Sequence, residues 1–189
     1  PAPDDATLLA DLRYDPSGMT AENLDYYDFL NRLAGAVEQL KQAGLWDDAH
    51  PWLNLLLPGD QAAELAGPIL SGLGPDDVGA GGVVLLYPLC REQLHTPLLR
   101  MPDDPVPYLL AVLRTCPPED DTTVARLLTA NRAAYETVRD HGGKQYPVGS
   151  VPFDGDDWRD HFGPAFPALS DARHCYDPAG NLTPGQGVF

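Results

Sequence analysis

Along residues 26–43 the apolar side chains Phe29, Leu30, Leu33, Val37 and Leu40 return every three or four positions, and Gly44 follows where a helix C-cap belongs. This spacing predicts an amphipathic helix with one buried face. The next apolar stretch, residues 52–57, is too short for a helix and lies between Pro51 and a Pro-Gly-Asp turn, so it reads as a strand. Asp60 is placed to cap a helix over 61–70, which Pro68 should end or kink. Residues 71–82, SGLGPDDVGAGG, read as a loop, and 83–89, VVLLYPL, as a short buried strand. Residues 106–116, VPYLLAVLRTC, fit a strand and, in another register, a helix.

The clearest helix covers 121–141. Asp121 or Thr122 can cap it, Val124, Leu127, Leu128, Ala134, Tyr135 and Val138 make its stripe, and His-Gly-Gly ends it. A last strand fits residues 144–148, and one or two short helices fit 156–177. The tail over 178–189 is too rich in Pro and Gly for regular structure, as is the turn built on Pro16 and Gly18 after the apolar ATLLADLRY stretch. Helical patterns separated by several strands and by non-helical connections predict an α+β fold, a largely antiparallel sheet flanked by helices.

Composition narrows the partners. At 189 residues and 43% hydrophobic content the chain can bury a sizeable core. Its 28 acidic against 12 basic side chains give a net charge of −16, which disfavours nucleic acid and anionic membrane surfaces. The only lysines are Lys41 and Lys144, so no basic patch offsets this. Cys90, Cys116 and Cys175 are odd in number and widely spaced, which points to buried free thiols rather than a zinc site. No apolar run approaches the ~20 residues of a membrane span, and the opening PAPDDATLLADL lacks the pattern of an export signal. It resembles an interdomain segment, and a cytoplasmic location is favoured with the compartment left open. Few lysines beside many Ala, Gly, Pro and Asp suit a bacterial genome of high GC content.

Most motif-like stretches have plain explanations. GAGG at 79–82 precedes a strand, whereas a dinucleotide-binding loop follows a strand and opens a helix, so a turn is expected. DGDD at 154–157 lacks the ligand alternation of a calcium loop and suits a helix N-cap cluster ahead of Trp158. The five histidines form no tight metal pair, and no nucleophile elbow is present. Asn181 begins a formal glycosylation sequon, NLT, to which no role is given.

HPWLN at 50–54 stands apart. Taken singly, Trp52 reads as a core aromatic and Asn54 as a strand-edge residue. On a strand, however, residues two apart share a face, which joins a flat apolar ring to an amide that both donates and accepts. A flat heteroaromatic ligand can use that pair, one member for stacking and one for edge hydrogen bonds.

The stretch YYDFLNRLAGAVEQLKQAGLWDDAHPWLNLLLP resembles the segment of cytokinin dehydrogenases that runs from FLDRV through a helix and GLW to PHPWLN and an apolar run. The likeness continues in order through GGVVLLYPLCR, PVPYLLAVLR, NRAAYE, GGKQYPV, DDWRDHFG and YDPAGNLTPGQGVF, covering about residues 25–189. HPWLN and the YDP…PGQ terminus together are specific; either alone is weak.

The resemblance implies an FAD-dependent oxidoreductase of the vanillyl-alcohol-oxidase type that cleaves the N6 side chain of isoprenoid adenines. Residues 1–146 would be the second half of the substrate (cap) domain, and 147–189 the segment returning to an N-terminal FAD-binding domain. That domain would hold the FAD, its linking histidine and the aspartate base, so no catalytic residue is assigned within this chain. Trp52, Asn54, Tyr87 and Pro88 would line the adenine-type substrate's pocket, and Tyr146 and Gln186 would lie close to the flavin ring. Trp46 keeps a core-packing role. Cys90 stands where the family has asparagine, Pro147 where it has leucine, and VGSVPFDG replaces an HYT-like stretch, all near the expected pocket. Two other readings are a related FAD-dependent oxidase acting on an alcohol or sugar and a stand-alone ligand-binding module.

Overall fold

The leucine run after Trp52 forms β1 (Leu53–Leu57), a strand buried along its whole length. In the computed structural model, which describes residues 4–117, 119–182 and 185–189, the chain divides into two units, Pro1–Trp46 and Asp47–Phe189.

The first unit carries α1 (Asp5–Leu9), α2 (Tyr26–Leu30) and α3 (Ala34–Gln42). The expected single helix over 26–43 is thus two. Asp25 caps α2, while Asn31 leaves helical geometry and ends it. No described residue of this unit is buried, so a continuous helix would gain little from burying its apolar stripe within the unit. Gly44 does end α3 at φ +72: its N–H donates to the Lys41 carbonyl and that of Leu45 to Leu40, a Schellman pair. Trp46, expected in a core, is exposed beneath the Lys41 ammonium.

The second unit is built on a four-stranded antiparallel sheet in the order β2-β3-β1-β4. Its other strands are β2 (Val83–Pro88), β3 (Tyr108–Leu113) and the short β4 (Lys144–Gln145). The ambiguous 106–116 segment is therefore a strand, because it pairs on both sides, with β1 and β2. Leu53, Leu55 and Leu57 join Leu110 and Val112 on one face, against Leu65 and Ala66 of α4 (Ala62–Ser71) and Tyr135 and Val138 of α6 (Asp121–Asp140). Residues with partly apolar neighbours on both faces leave water entirely, at about 1.5–3 kcal/mol for each such leucine.

Several local expectations change. Asp60 does not cap α4, whose start at Gln61 has no side-chain cap after a 3-10 turn over Gly59–Gln61. Pro68 stays within α4, and the helix runs on to Ser71. The 71–82 loop contains a one-turn helix, α5 (Pro75–Val78), opened by its proline and by Asp77 accepting from the Gly74 N–H. The cap of α6 is Asp120, which accepts from the Thr123 N–H at 2.9 Å, rather than Asp121 or Thr122. β2 was expected to be buried but is exposed along its whole length, at the edge of the sheet. Of the thiols only Cys116 is buried.

The chain ends in α7 (Gly155–Phe162) and α8 (Phe166–Tyr176). Asp154 and Asp157 form a reciprocal capping box at the start of α7, as the DGDD cluster suggested. Thr183, the third residue of the sequon, lies outside the described residues. No helix among the described residues is long and apolar enough to cross a membrane.

Candidate functional site

Because Leu53, Leu55 and Leu57 face the helices, alternation turns Asn54 and Leu56 to the other side of β1, and Trp52 shares that side. Asn54 is 3% exposed and Trp52 half-buried. Trp52 Nε1 and Asn54 Nδ2 are buried donors that have no partner among the described residues. Such donors are costly to leave unmet. The Trp52 and His50 rings also meet at a steep angle, with centroids 5.4 Å apart.

The backbone of this pair is fixed from two directions. The Tyr146 N–H donates to the Asn54 carbonyl at 3.0 Å and the Ser150 N–H to the Trp52 carbonyl at 2.7 Å, so the 146–150 turn continues the pairing begun by β4. Gly149 permits this approach: a Cβ there would sit 3.0 Å from the Asn54 nitrogen and 3.3 Å from its Cβ. From the helix side Asn131 of α6, wholly buried, donates through Nδ2 to the carbonyls of Pro51, Trp52 and Ser150 at 3.1, 3.2 and 3.1 Å.

Arg132, the next residue, fastens the start of α7. Its guanidinium bonds both carboxylate oxygens of Asp157 at 2.5 and 3.0 Å, Glu136 at 2.7 Å and the Pro152 carbonyl at 3.0 Å. The Asp157 carboxyl is held below its ordinary range chiefly by that bond. Trp158 of α7 donates Nε1 to the Gln186 carbonyl at 3.1 Å, and Gln186 donates Nε2 to the Pro147 carbonyl at 2.5 Å. One of the two amide hydrogens of Gln186 is thereby committed within the chain, leaving the other and Oε1 for a ligand. A cavity of about 280 Å³ runs along this segment, lined by Leu128, Gly149, Ser150, Phe153 and Gln186 among others.

The sequence-derived site residues thus fall into two sets. Trp52, Asn54, Tyr146 and Gln186 are joined through backbone bonds of the 146–150 turn and Pro147. Tyr87 and Pro88 are not brought to them. Tyr87 pairs across β3 with Leu109, which faces Leu56, so it shares the side of Asn54 but stands two strands away, about 12 Å by sheet spacing. Pro88 faces the opposite side, in the row of Tyr108 and Leu57.

Asn131, Arg132 and Gly149 were not singled out from sequence, and His161 was noted only for forming no metal pair. The signal for Asn131 is its place in the α6 stripe, four residues after Leu127 and four before Tyr135, where an apolar side chain is the norm. His161 packs among Phe153, Trp158 and Phe162, and neither ring nitrogen has a partner among the described residues. Burial, reinforced by the charges of Lys144 and Arg100, depresses its pKa to about 4, so the ring is neutral near pH 7.

Comparison with known proteins identifies the family of the chain. Residues 4–189 match the family described as cytokinin dehydrogenase 1, FAD and cytokinin binding. An uncharacterized oxidoreductase of the fasciation locus of Rhodococcoides fascians is 37% identical over 183 residues, covering 97% of this chain and 41% of that protein. Cytokinin dehydrogenase 3 of Oryza sativa subsp. japonica is 32% identical over 182 residues, covering 92% of this chain and 34% of that protein. Cytokinin dehydrogenase 4 of Arabidopsis thaliana is 29% identical, with 97% and 35% covered. The chain spans roughly a third to two-fifths of the length of these relatives. With its whole described length matched and its α+β sheet framing the HPWLN strand, the chain belongs to the cytokinin dehydrogenase FAD- and cytokinin-binding family.

Proposed function

We propose that this chain is the substrate-binding, C-terminal part of an FAD-dependent oxidoreductase that cleaves the N6 side chain of isoprenoid adenines, giving adenine and an aldehyde. The observation that carries the reading is the pair of unmet buried donors, Trp52 Nε1 and Asn54 Nδ2, two residues apart on one side of β1. Purine rings present in-plane nitrogen acceptors and a flat face, which is what an indole and an amide in this spacing can engage.

The uncommitted hydrogen of Gln186 and the Tyr146 hydroxyl are donors suited to the carbonyl-rich edge of a flavin. When bound, FAD supplies the two-electron acceptor for the hydride leaving the carbon that bears the amine, and water hydrolyses the resulting imine. The contribution of this chain is positional. Asn131 and the 146–150 turn hold Trp52 and Asn54 so that the ring plane of the substrate is fixed, and orientation of that kind lowers a barrier without any proton transfer.

In this reading residues 1–146 form the second half of a substrate domain, and 147–189 return to an FAD-binding domain in the same polypeptide. Apolar surface supports a covering partner: β2 is an exposed edge, and a cavity of about 590 Å³ beside α8 is lined by Leu169, Ala172, Tyr176, Leu182, Val188 and Phe189 among others.

The test uses the intact polypeptide. Isopentenyl-adenine, a benzylic alcohol and a sugar are mixed anaerobically with the oxidised protein, and flavin absorbance and products are followed. Bleaching by isopentenyl-adenine with release of adenine is expected. Bleaching by the alcohol or sugar alone would replace the proposed substrate class, and a protein without flavin would remove the enzymatic reading.

A further inference from the structure

On the helix side of the sheet, where Leu53 points and Asn54 does not, a second cavity of about 270 Å³ lies between α4, α5, the end of β3 and α6. Arg114 lines it. This arginine is 2% exposed, yet makes no side-chain hydrogen bond or ion pair among the described residues, and its Nε is buried without a partner.

A buried guanidinium without an acceptor is among the least favourable arrangements in a protein interior. Here the obvious carboxylate is already engaged. One oxygen of Asp77 accepts from the Gly74 N–H at 2.8 Å, and the other pairs with Arg126 on the cavity's far wall. Two cations therefore share one anion. Burial lowers the Arg114 pKa, the Asp77 charge opposes that, and the Arg126 charge adds to it.

The Thr115 N–H donates to the Val78 carbonyl at 3.0 Å, pinning α5 to the end of β3. Gly79, at φ +79, makes the contact possible, since a Cβ there would stand 2.0 Å from the Thr115 carbonyl oxygen. The GAGG stretch thus serves a close packing that brings Asp77 into the wall of the same cavity as Arg114.

We propose that this cavity binds a small aliphatic monocarboxylate, its carboxylate on Arg114 and its hydrocarbon against Leu53, Ile69 and Leu73. A planar carboxylate matches the guanidinium fork in two-point fashion. Inorganic phosphate, with its larger charge, would lose more hydration against Leu53, Ile69 and Leu73 and meet more repulsion from the Asp77 carboxylate in the same wall. The site lies across the sheet from Trp52 and Asn54, and the inference does not depend on the reaction proposed above.

Titration calorimetry on the intact protein at constant ionic strength tests it, with acetate, butyrate, hexanoate and inorganic phosphate as probes. Saturable binding is expected, tighter for butyrate than for acetate. Arg114→Met should weaken butyrate roughly tenfold or more, as loss of a two-point charged contact does. Ala130→Leu fills the cavity from its rim and leaves Arg114 in place, so it should weaken butyrate comparably and serves if Arg114→Met does not fold. Absence of saturable binding, phosphate bound more tightly than butyrate, or butyrate affinity unchanged in Ala130→Leu would overturn the proposal.

Discussion

The side-chain amide of Asn131 donates to the Trp52 carbonyl at 3.2 Å, although the two residues lie 79 positions apart. The same nitrogen reaches the Pro51 and Ser150 carbonyls, so one buried side chain on α6 sets the height of the HPWLN strand and of the turn opposite it. Asn131→Leu should destabilise the protein by about 1–3 kcal/mol, since it removes the donor to the Pro51 and Ser150 carbonyls, while the Trp52 carbonyl keeps the Ser150 N–H. Asn131→Asp should cost more, because it presents an acceptor to acceptors. Urea titrations of the three proteins check both statements, and equal midpoints would show the clamp to be idle.

Gly149 tests the other side of the same frame. A methyl group there meets the Asn54 nitrogen at 3.0 Å, and the turn must retreat, lengthening the Ser150 bond to Trp52. Gly149→Ala should cost about 1–3 kcal/mol, the usual range for overpacking. Affinity of the intact protein for isopentenyl-adenine should fall with it. A variant with lower stability and unchanged affinity would separate the turn from the ligand site.

For Trp52 itself the expected loss is in binding. Trp52→Ala should weaken isopentenyl-adenine by about 1–3 kcal/mol, the range for a base stacked on an aromatic ring. Trp52→Phe retains a ring and removes the unmet Nε1, so it should recover part of that loss. Equilibrium dialysis of the intact protein distinguishes the two, and wild-type affinity in a folded Trp52→Ala would place the ligand elsewhere.

These residues also mark how far the sequence carries. β1 was legible because a five-residue apolar strand between prolines has few alternatives, and the parity of Trp52 and Asn54 follows from the strand alone. The same parity separates Tyr87 from Pro88, but the distance of Tyr87 from Asn54 depends on strand order, which local pattern does not encode. β2 reads as a buried strand because VVLLYP is equally apolar whether a neighbour covers it or not. The break between α2 and α3 was hidden for a related reason: helical periodicity records a preferred face, whereas continuity depends on what that face meets. Arg114 gave no signal at all, since an arginine after a strand is normally solvated, and only the fold closes α5 and α6 around it.

Acid stability should carry the signature of His161. Its folded pKa of about 4 lies below the ordinary value of 6.5, so between these pH values the unfolded chain binds the extra proton. Stability therefore rises with pH through this window and declines as pH falls from about 6.5 towards 4, by on the order of 3 kcal/mol in all. Asp157 acts lower: its depressed pKa contributes stability present above the ordinary 3.8 and lost as pH falls further. His161→Phe should flatten the profile between pH 6.5 and 4.5 and leave the steeper loss below pH 4. An unchanged slope in that variant would assign the acid sensitivity to other groups.

The exposed edge of the sheet is the surface on which the proposed partner domain can be tested. Val83, Val84, Leu85, Leu86 and Tyr87 are exposed in the second unit, and an apolar edge strand with unpaired backbone groups is a template for another strand. If the remaining length of the polypeptide covers β2, the 189-residue chain alone should be colourless, inactive and prone to self-association. Leu85→Lys should then act in opposite directions. In the isolated chain it should reduce self-association by charging the edge, which size-exclusion chromatography reads directly. In the intact protein it should destabilise by about 1.5–3 kcal/mol, because the same side chain would be transferred from water to a covered surface. A substitution that improves both forms would mean that β2 faces solvent throughout, and a yellow, active protein recovered from these 189 residues would remove the need for a covering domain altogether.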